Sequence, residues 1–297
     1  MKDEDSTPGI AKHRWPVFVA AALVLAMALA VVWVGSEARR VRERRELLSA
    51  MPGATAVEPS PDAGTLVRWR AELAGLTNGA ASETTLGQWL DRLLAGKLAR
   101  EIQLDVLEAA AKMPSAVLTQ KLAQVEAARP KDDPLAGFRE TLYGGDAELG
   151  RKVFAVDPNA ACVKCHRIGG QGGDIGPDQS DVGMRLTREE TLEAILRPNA
   201  KFTEHFETAV VLLTNGAYFA GVVKRETEAE LEIAGADIGV VKIKKAEIKQ
   251  RDKGLSLMPE GLGQVLTKRD FRNLIEFLAR QQSPPTNAVA RVKTNGA

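Results

Sequence analysis

The sequence predicts a mainly α-helical chain carrying a small β insertion, behind an apolar N-terminal segment. Three observations predict it. Val17 to Val34 is an uninterrupted apolar run. Leucines and other apolar residues recur at helical spacing from residue 65 to 128 and again near the C-terminus. Between them, a β-branched stretch with an Asn-Gly turn occupies about 204–252.

The apolar run is flanked by Trp15 and Trp33 and preceded by Lys12, His13 and Arg14. At about 1.5 Å per residue it just spans a bilayer core. Gly35, Ser36, Glu37 and Ala38 match a signal-peptidase site poorly, so the run reads as an uncleaved signal anchor over 16–34, behind a cytoplasmic tail of 1–15. Arg39, Arg40, Arg42, Arg44 and Arg45 follow it. By the positive-inside rule alone they place the body in the cytoplasm. The haem motif described below argues the reverse, because c-type haem is attached outside the bacterial cytoplasmic membrane. The expectation follows that motif: single-pass in the cytoplasmic membrane, with the body in the periplasm. Net charge is +1, which gives no electrostatic case for nucleic acid.

Residues 35–64 read as a linker, with Pro52, Pro59 and Pro61 among Gly and Ala. Residues 65–130 read as a short helical domain. Leu86, Trp89, Leu90, Leu93, Leu94 and Leu98 form one face. Ile102, Val106, Leu107 and Ala110 form a second, and Val117, Leu118, Leu122 and Val125 a third. Trp69 and Trp89 read as core. Pro130 to Pro134 ends the region.

Cys162-Val163-Lys164-Cys165-His166 holds the only two cysteines and one of three histidines. Cys-x-x-Cys-His is the attachment signature of c-type haem: two thiols for thioethers and an adjacent imidazole for the iron. A redox disulfide fits less well, since no βαβ pattern surrounds it. A zinc site lacks a second Cys or His pair. Asp146 caps a helix running to about Phe154. Five glycines between Gly169 and Gly176 lead to Pro177-Asp178; they let the backbone pass close to a flat macrocycle. A carbonyl near Pro177 is placed to accept the His166 ring N–H.

Thr187-Arg188-Glu189-Glu190 is a capping box opening a helix that Pro198 stops. Phe206 to Leu213, Tyr218 to Val223, Leu231 to Ile233, Val240 to Ile243 and Ile248 then read as about five short strands, with Asn215-Gly216 as a hairpin turn. They predict a small antiparallel sheet or barrel. Lys242, Lys244, Lys245, Lys249, Arg251 and Lys253 give it a basic edge, read as edge-strand protection ahead of a docking patch. Thr267 caps a last helix through Phe271, Leu274, Ile275 and Leu278, and 282–297 reads as a disordered tail. Met258 lies in a loop beside Pro259, and a thioether suits haem iron. Met184 and His205 are its competitors.

The stretch from about Gly144 to Arg280 resembles the haem-binding domain of Pirellula/Verrucomicrobium type, a cytochrome-c-like family. The matching pieces are Gly150-Arg151-Lys152-Val153-Phe154, the Cys162 to His166 motif, Gly176-Pro177-Asp178, Leu196-Arg197-Pro198-Asn199, Asn215-Gly216 with Gly221, and Ser256 to Leu262. The helical segment before it is similar to the repeat-like helices that often precede that domain. The resemblance implies a class I cytochrome-c-like domain over 144–281, interrupted by the β insertion. Its first and last helices would cross, pairing Gly150 and Phe154 with the Leu274 to Leu278 face. It implies one covalent haem c on Cys162 and Cys165, His166 as proximal and Met258 as distal iron ligand. Gln179 departs from the family, which more often has leucine there. The expected function is a membrane-anchored, periplasmic monohaem c-type cytochrome, an electron carrier and not an enzyme. It would work between a periplasmic dehydrogenase and a respiratory acceptor. The alternative is a haem-containing scaffold subunit of a membrane oxidoreductase complex.

Overall fold

The computed structural model describes residues 60–235 and 237–283. The expected cytoplasmic tail, the anchor over 16–34, most of the linker and nearly all of the C-terminal tail lie outside the described residues.

The first described element is α1, Ala63–Gly75. Asp62 starts it, accepting the Thr65 N–H at 2.9 Å. This helix begins inside the segment read as linker. Next come α2 (Ala80–Leu94), α3 (Gln103–Lys112) and α4 (Ala116–Ala127). Pro114 cannot continue α3, and Ser115 caps α4 by accepting the Leu118 N–H at 3.2 Å. The faces read at helical spacing meet in one core: Leu86, Leu90, Ile102, Val106 and Leu118 are fully buried. Trp69 and Trp89 close it edge to face, with ring centroids 5.5 Å apart.

A second core lies between α5 (Ala147–Val156), α7 (Arg188–Leu196) and α9 (Lys268–Ala279). Asp146 caps α5 and capping boxes start α7 and α9, at Thr187 and Thr267. The short helices α6 (Val182–Arg185) and α8 (Leu262–Val265) complete the set. α5 crosses α9 at Gly150, where a β-carbon would sit 1.9 Å from the Asn273 carbonyl oxygen. One turn on, the rings of Phe154 and Phe277 lie 5.7 Å apart.

The two helical regions belong to one compact unit. A buried ion cluster joins them. Asp105 of α3 accepts two bonds from Arg272 of α9, at 2.7 and 3.2 Å. Arg70 of α1 bonds the same carboxylate at 3.1 Å and the Gly144 carbonyl at 2.5 Å. Isolating either charge of such a pair would cost more than the pair gains, so the two regions are held in one register.

Two ribbons of strand occur. β1 (Arg167–Ile168) pairs with β2 (Gln171–Gly172) beside the cysteines. The insertion holds β3 (Thr208–Leu213), β4 (Tyr218–Glu226), β5 (Glu230–Gly235), β6 (Gly239–Lys244) and β7 (Ile248–Lys253). All pairs are antiparallel, in the order β6-β5-β4-β3-β7. Ala209, Val211, Leu231, Ile233 and Ile243 form its own small core.

The fold class read from the sequence needs two corrections. First, the insertion is not a closed barrel. Only Lys245–Glu247 separates the edge strands β6 and β7. Four strand spacings on a flat sheet span about 19 Å, which so short a link does not reach. The sheet must therefore curl, yet no ladder joins β6 to β7. It stays an open sheet with two edges, and the basic residues fall on both of them. Lys242 and Lys244 lie on β6, and Lys249, Arg251 and Lys253 on β7, as edge protection requires.

Second, among the described residues no helix is long and apolar enough to cross a membrane. The longest, α2, has 15 residues, about 22 Å of helix, with Glu83, Asp91 and Arg92 along it. The expected fold with a transmembrane helix, and the membrane and periplasmic localisation built on it, is corrected to this extent: no described helix supplies the span, and the segment expected to do so lies outside the described residues.

The α5–α9 crossing yields a test. Gly150→Ala should lower unfolding free energy by about 3 kcal/mol or more, since backbone must move. Gly75→Ala, whose β-carbon meets nothing within 4 Å, should stay within about 0.5 kcal/mol of wild type. Urea unfolding of both variants is the measurement.

Candidate functional site

α5 ends at Asp157, whose side chain accepts the N–H groups of Asn159 and Ala160 at 2.8 and 3.0 Å. Ala161 follows in the left-handed region, at φ 46°. That turn throws the chain into a short 3₁₀ segment, Cys162–Lys164, stitched by Cys165 N–H to Cys162 O at 3.1 Å and His166 N–H to the same oxygen at 2.9 Å. Three residues apart on a single turn, the two thiols share a side. They are unbridged.

The glycine loop folds back over this turn. Gly173 N–H bonds Val163 O at 2.9 Å and Gly176 N–H bonds Cys165 O at 2.8 Å. A β-carbon on Gly176 would lie 2.5 Å from Cε1 of His166. These glycines were expected to let the backbone pass close to a flat macrocycle. At Gly176 the close approach is instead to the histidine ring itself.

The ring is held by its Nδ1, 2.9 Å from the Pro177 carbonyl oxygen. A carbonyl only accepts, so Nδ1 carries the proton and Nε2 keeps its lone pair. Burial lowers the His166 pKa, partly countered by the Pro177 carbonyl. The imidazole is therefore neutral at pH 7 and competent as a donor to metal. The Pro177 turn is itself fixed: Asp178 accepts from Ser180 N–H and Oγ, at 2.8 and 2.6 Å, and Ser180 Oγ accepts from Gly169 N–H at 2.8 Å.

Cys162, Cys165, His166, Pro177 and Met258 all line one cavity, walled by apolar residues of α5, α7, α8 and α9. Both competitors of Met258 fall outside it. Met184 is 68% exposed. His205 lies on the surface, 3.6 Å from Glu204. The β insertion contributes Phe206 and Val222 to the lining, with Phe202 just ahead of it. Lys253 sits over Phe202 and Lys224 over Phe206, at 4.9 and 5.0 Å. Lys224 also donates to the Asp174 carbonyl of the glycine loop, so the insertion is tied to the cysteine segment.

Two further residues have roles that the sequence did not assign: Asn199, and Gln179, which stood out only as a departure from the family pattern. Asn199 accepts the Ser256 N–H at 2.8 Å and donates to Glu260 at 2.6 Å, clamping the methionine loop on both sides of Met258. Gln179 lies 3.1 Å from His166 Nδ1. Asn199 stood in a quoted motif, and an Asn after Leu-Arg-Pro beyond a helix end was its available cue.

Among the described residues no group of three or more His, Cys, Asp or Glu is placed to hold a metal ion. The metal-binding expectation is corrected to that extent: these side chains alone build no metal centre. One borderline imidazole and one soft thioether are only two donors, and anything they ligate must bring its other ligands with it.

No protein-family model matches this chain, and no curated protein matches it. The cytochrome-c-like resemblance thus rests on its motifs.

Burial pushes the Cys162 thiol pKa up to about 11. Iodoacetamide alkylation of Cys162 in the haem-free chain should reach half its limiting rate near that pH, against about 8.5 for a free cysteine. Mass-mapped rates across pH check this. Asn199→Ala should accelerate amide exchange at Ser256 and Met258 about tenfold, the loss of roughly 1.4 kcal/mol of local restraint. Hydrogen exchange read by NMR is the check.

Proposed function

We propose that this chain is a single-haem c-type electron-transfer protein. The observation that carries the proposal is the convergence of both thiols, an imidazole with its Nε2 lone pair free, and Met258 on one apolar cavity. The residues suit a flat, apolar, iron-bearing group. Cys162 and Cys165 would hold it covalently: each thiol adds across a vinyl double bond, sulfur to one carbon and proton to the other, with no oxidant consumed. The bound haem would supply one reversible Fe(III)/Fe(II) electron.

The remaining work belongs to the chain. His166, neutral and fixed by Pro177, offers Nε2 as proximal donor. Asn199 and Ser256 hold the loop that offers Met258 as distal donor. Val182, Leu262, Leu274 and Leu278 give the cavity a buried apolar wall, and methionine ligation would raise the reduction potential. The partners this function needs are a protein donor and a protein acceptor of single electrons.

The test is a redox titration of the chain produced with a c-haem maturation system. A low-spin, methionine-type spectrum titrating as one electron is expected. Met258→Ala should keep the haem, lose the methionine-type features and lower the potential. A variant with an unchanged spectrum removes Met258 from the assignment. A wild-type chain without haem removes the function.

A further inference from the structure

The imidazole N–H of His166 has two neighbours, the Pro177 carbonyl oxygen at 2.9 Å and the Gln179 carboxamide, whose Nε2 stands 3.1 Å away. The carbonyl fixes the proton on Nδ1, because it has nothing to donate. A second group at hydrogen-bond distance from that N–H must then offer an acceptor. The two ends of a carboxamide have nearly the same shape, and half a turn about its last torsion exchanges them. Only the orientation with Oε1 toward His166 satisfies both groups.

The contact is built rather than incidental. Gln179 is anchored by its own N–H on Arg167 O at 2.8 Å, the residue next to His166. Gly176 presses on the ring from the same loop. Gln179 also lines the cavity with His166. A leucine here would leave Pro177 as the N–H's one acceptor among these neighbours.

We infer that Gln179 is a positioning residue for His166: its carboxamide oxygen is a second acceptor for the Nδ1–H. Sharing the proton between two acceptors fixes the ring plane and makes Nε2 more electron-rich. A richer donor favours the higher oxidation state of iron bound there, so Gln179 lowers the reduction potential. This rests on the haem reading above.

The test uses the full chain in two forms. In the haem-loaded protein, Gln179→Leu should raise the potential and Gln179→Glu, a stronger acceptor, should bring it to or below wild type, with haem covalently retained in both. Unchanged potentials in both variants, with haem retained, overturn the inference and leave the electron carrier standing. Absence of haem from the wild type overturns both. In the haem-free wild type, two-bond ¹H–¹⁵N correlations should show His166 with its proton on Nδ1. An Nε2-protonated ring overturns the inference whether or not either variant folds.

Discussion

The whole site depends on how closely α5 passes over α9. At Gly150 the separation leaves no room for a methyl group, and Gly145, just ahead of the Asp146 cap, meets the Arg272 carbonyl in the same way. Because both contacts are with α9 backbone, they fix position along that helix as well as distance from it. α5 then delivers the Asp157 turn and the cysteines, while α9 delivers Leu274 and Leu278 to the cavity wall. The Asp105–Arg272 pair extends the same helix into the α1–α4 core. One helix thus serves as the reference for both halves of the described structure.

Around that crossing, each donor is held by hydrogen bonds and close contacts. Pro177 and the glycine loop set the His166 ring. Asn199 sets the Met258 loop from the end of α7. The β insertion adds a third restraint through Lys224, Phe202 and Phe206. The groups that touch the imidazole N–H, the Pro177 carbonyl and the Gln179 carboxamide, are uncharged, while Arg185 and Lys201 stand elsewhere in the cavity lining.

Much of this was legible in the residues. Capping chemistry at Asp146, Thr187 and Thr267 marked three helix starts, and apolar spacing marked the faces of α2 to α4, because both signals are local. Asn215-Gly216 marked the β3–β4 hairpin for the same reason. What failed was non-local. Whether five strands close depends on which edges pair, and no strand's own sequence states that. The start of α1 at Asp62 was missed because Pro59 and Pro61 made that stretch read as linker. The clamp by Asn199 spans 57 residues to Ser256, and the bond from Arg272 to Asp105 spans 167. The membrane reading came from residues outside the described structure, and the helices inside it are short and amphipathic.

The central claim is that Cys162 and Cys165 carry a covalent prosthetic group beside His166. The most direct measurement is the intact mass of the denatured chain after production with a c-haem maturation system, for wild type and for Cys162→Ala with Cys165→Ala. Covalent attachment requires wild type heavier than its sequence by one haem, with both sulfurs substituted, and the double variant at its bare sequence mass. A wild-type chain at bare mass with two free thiols would contradict it.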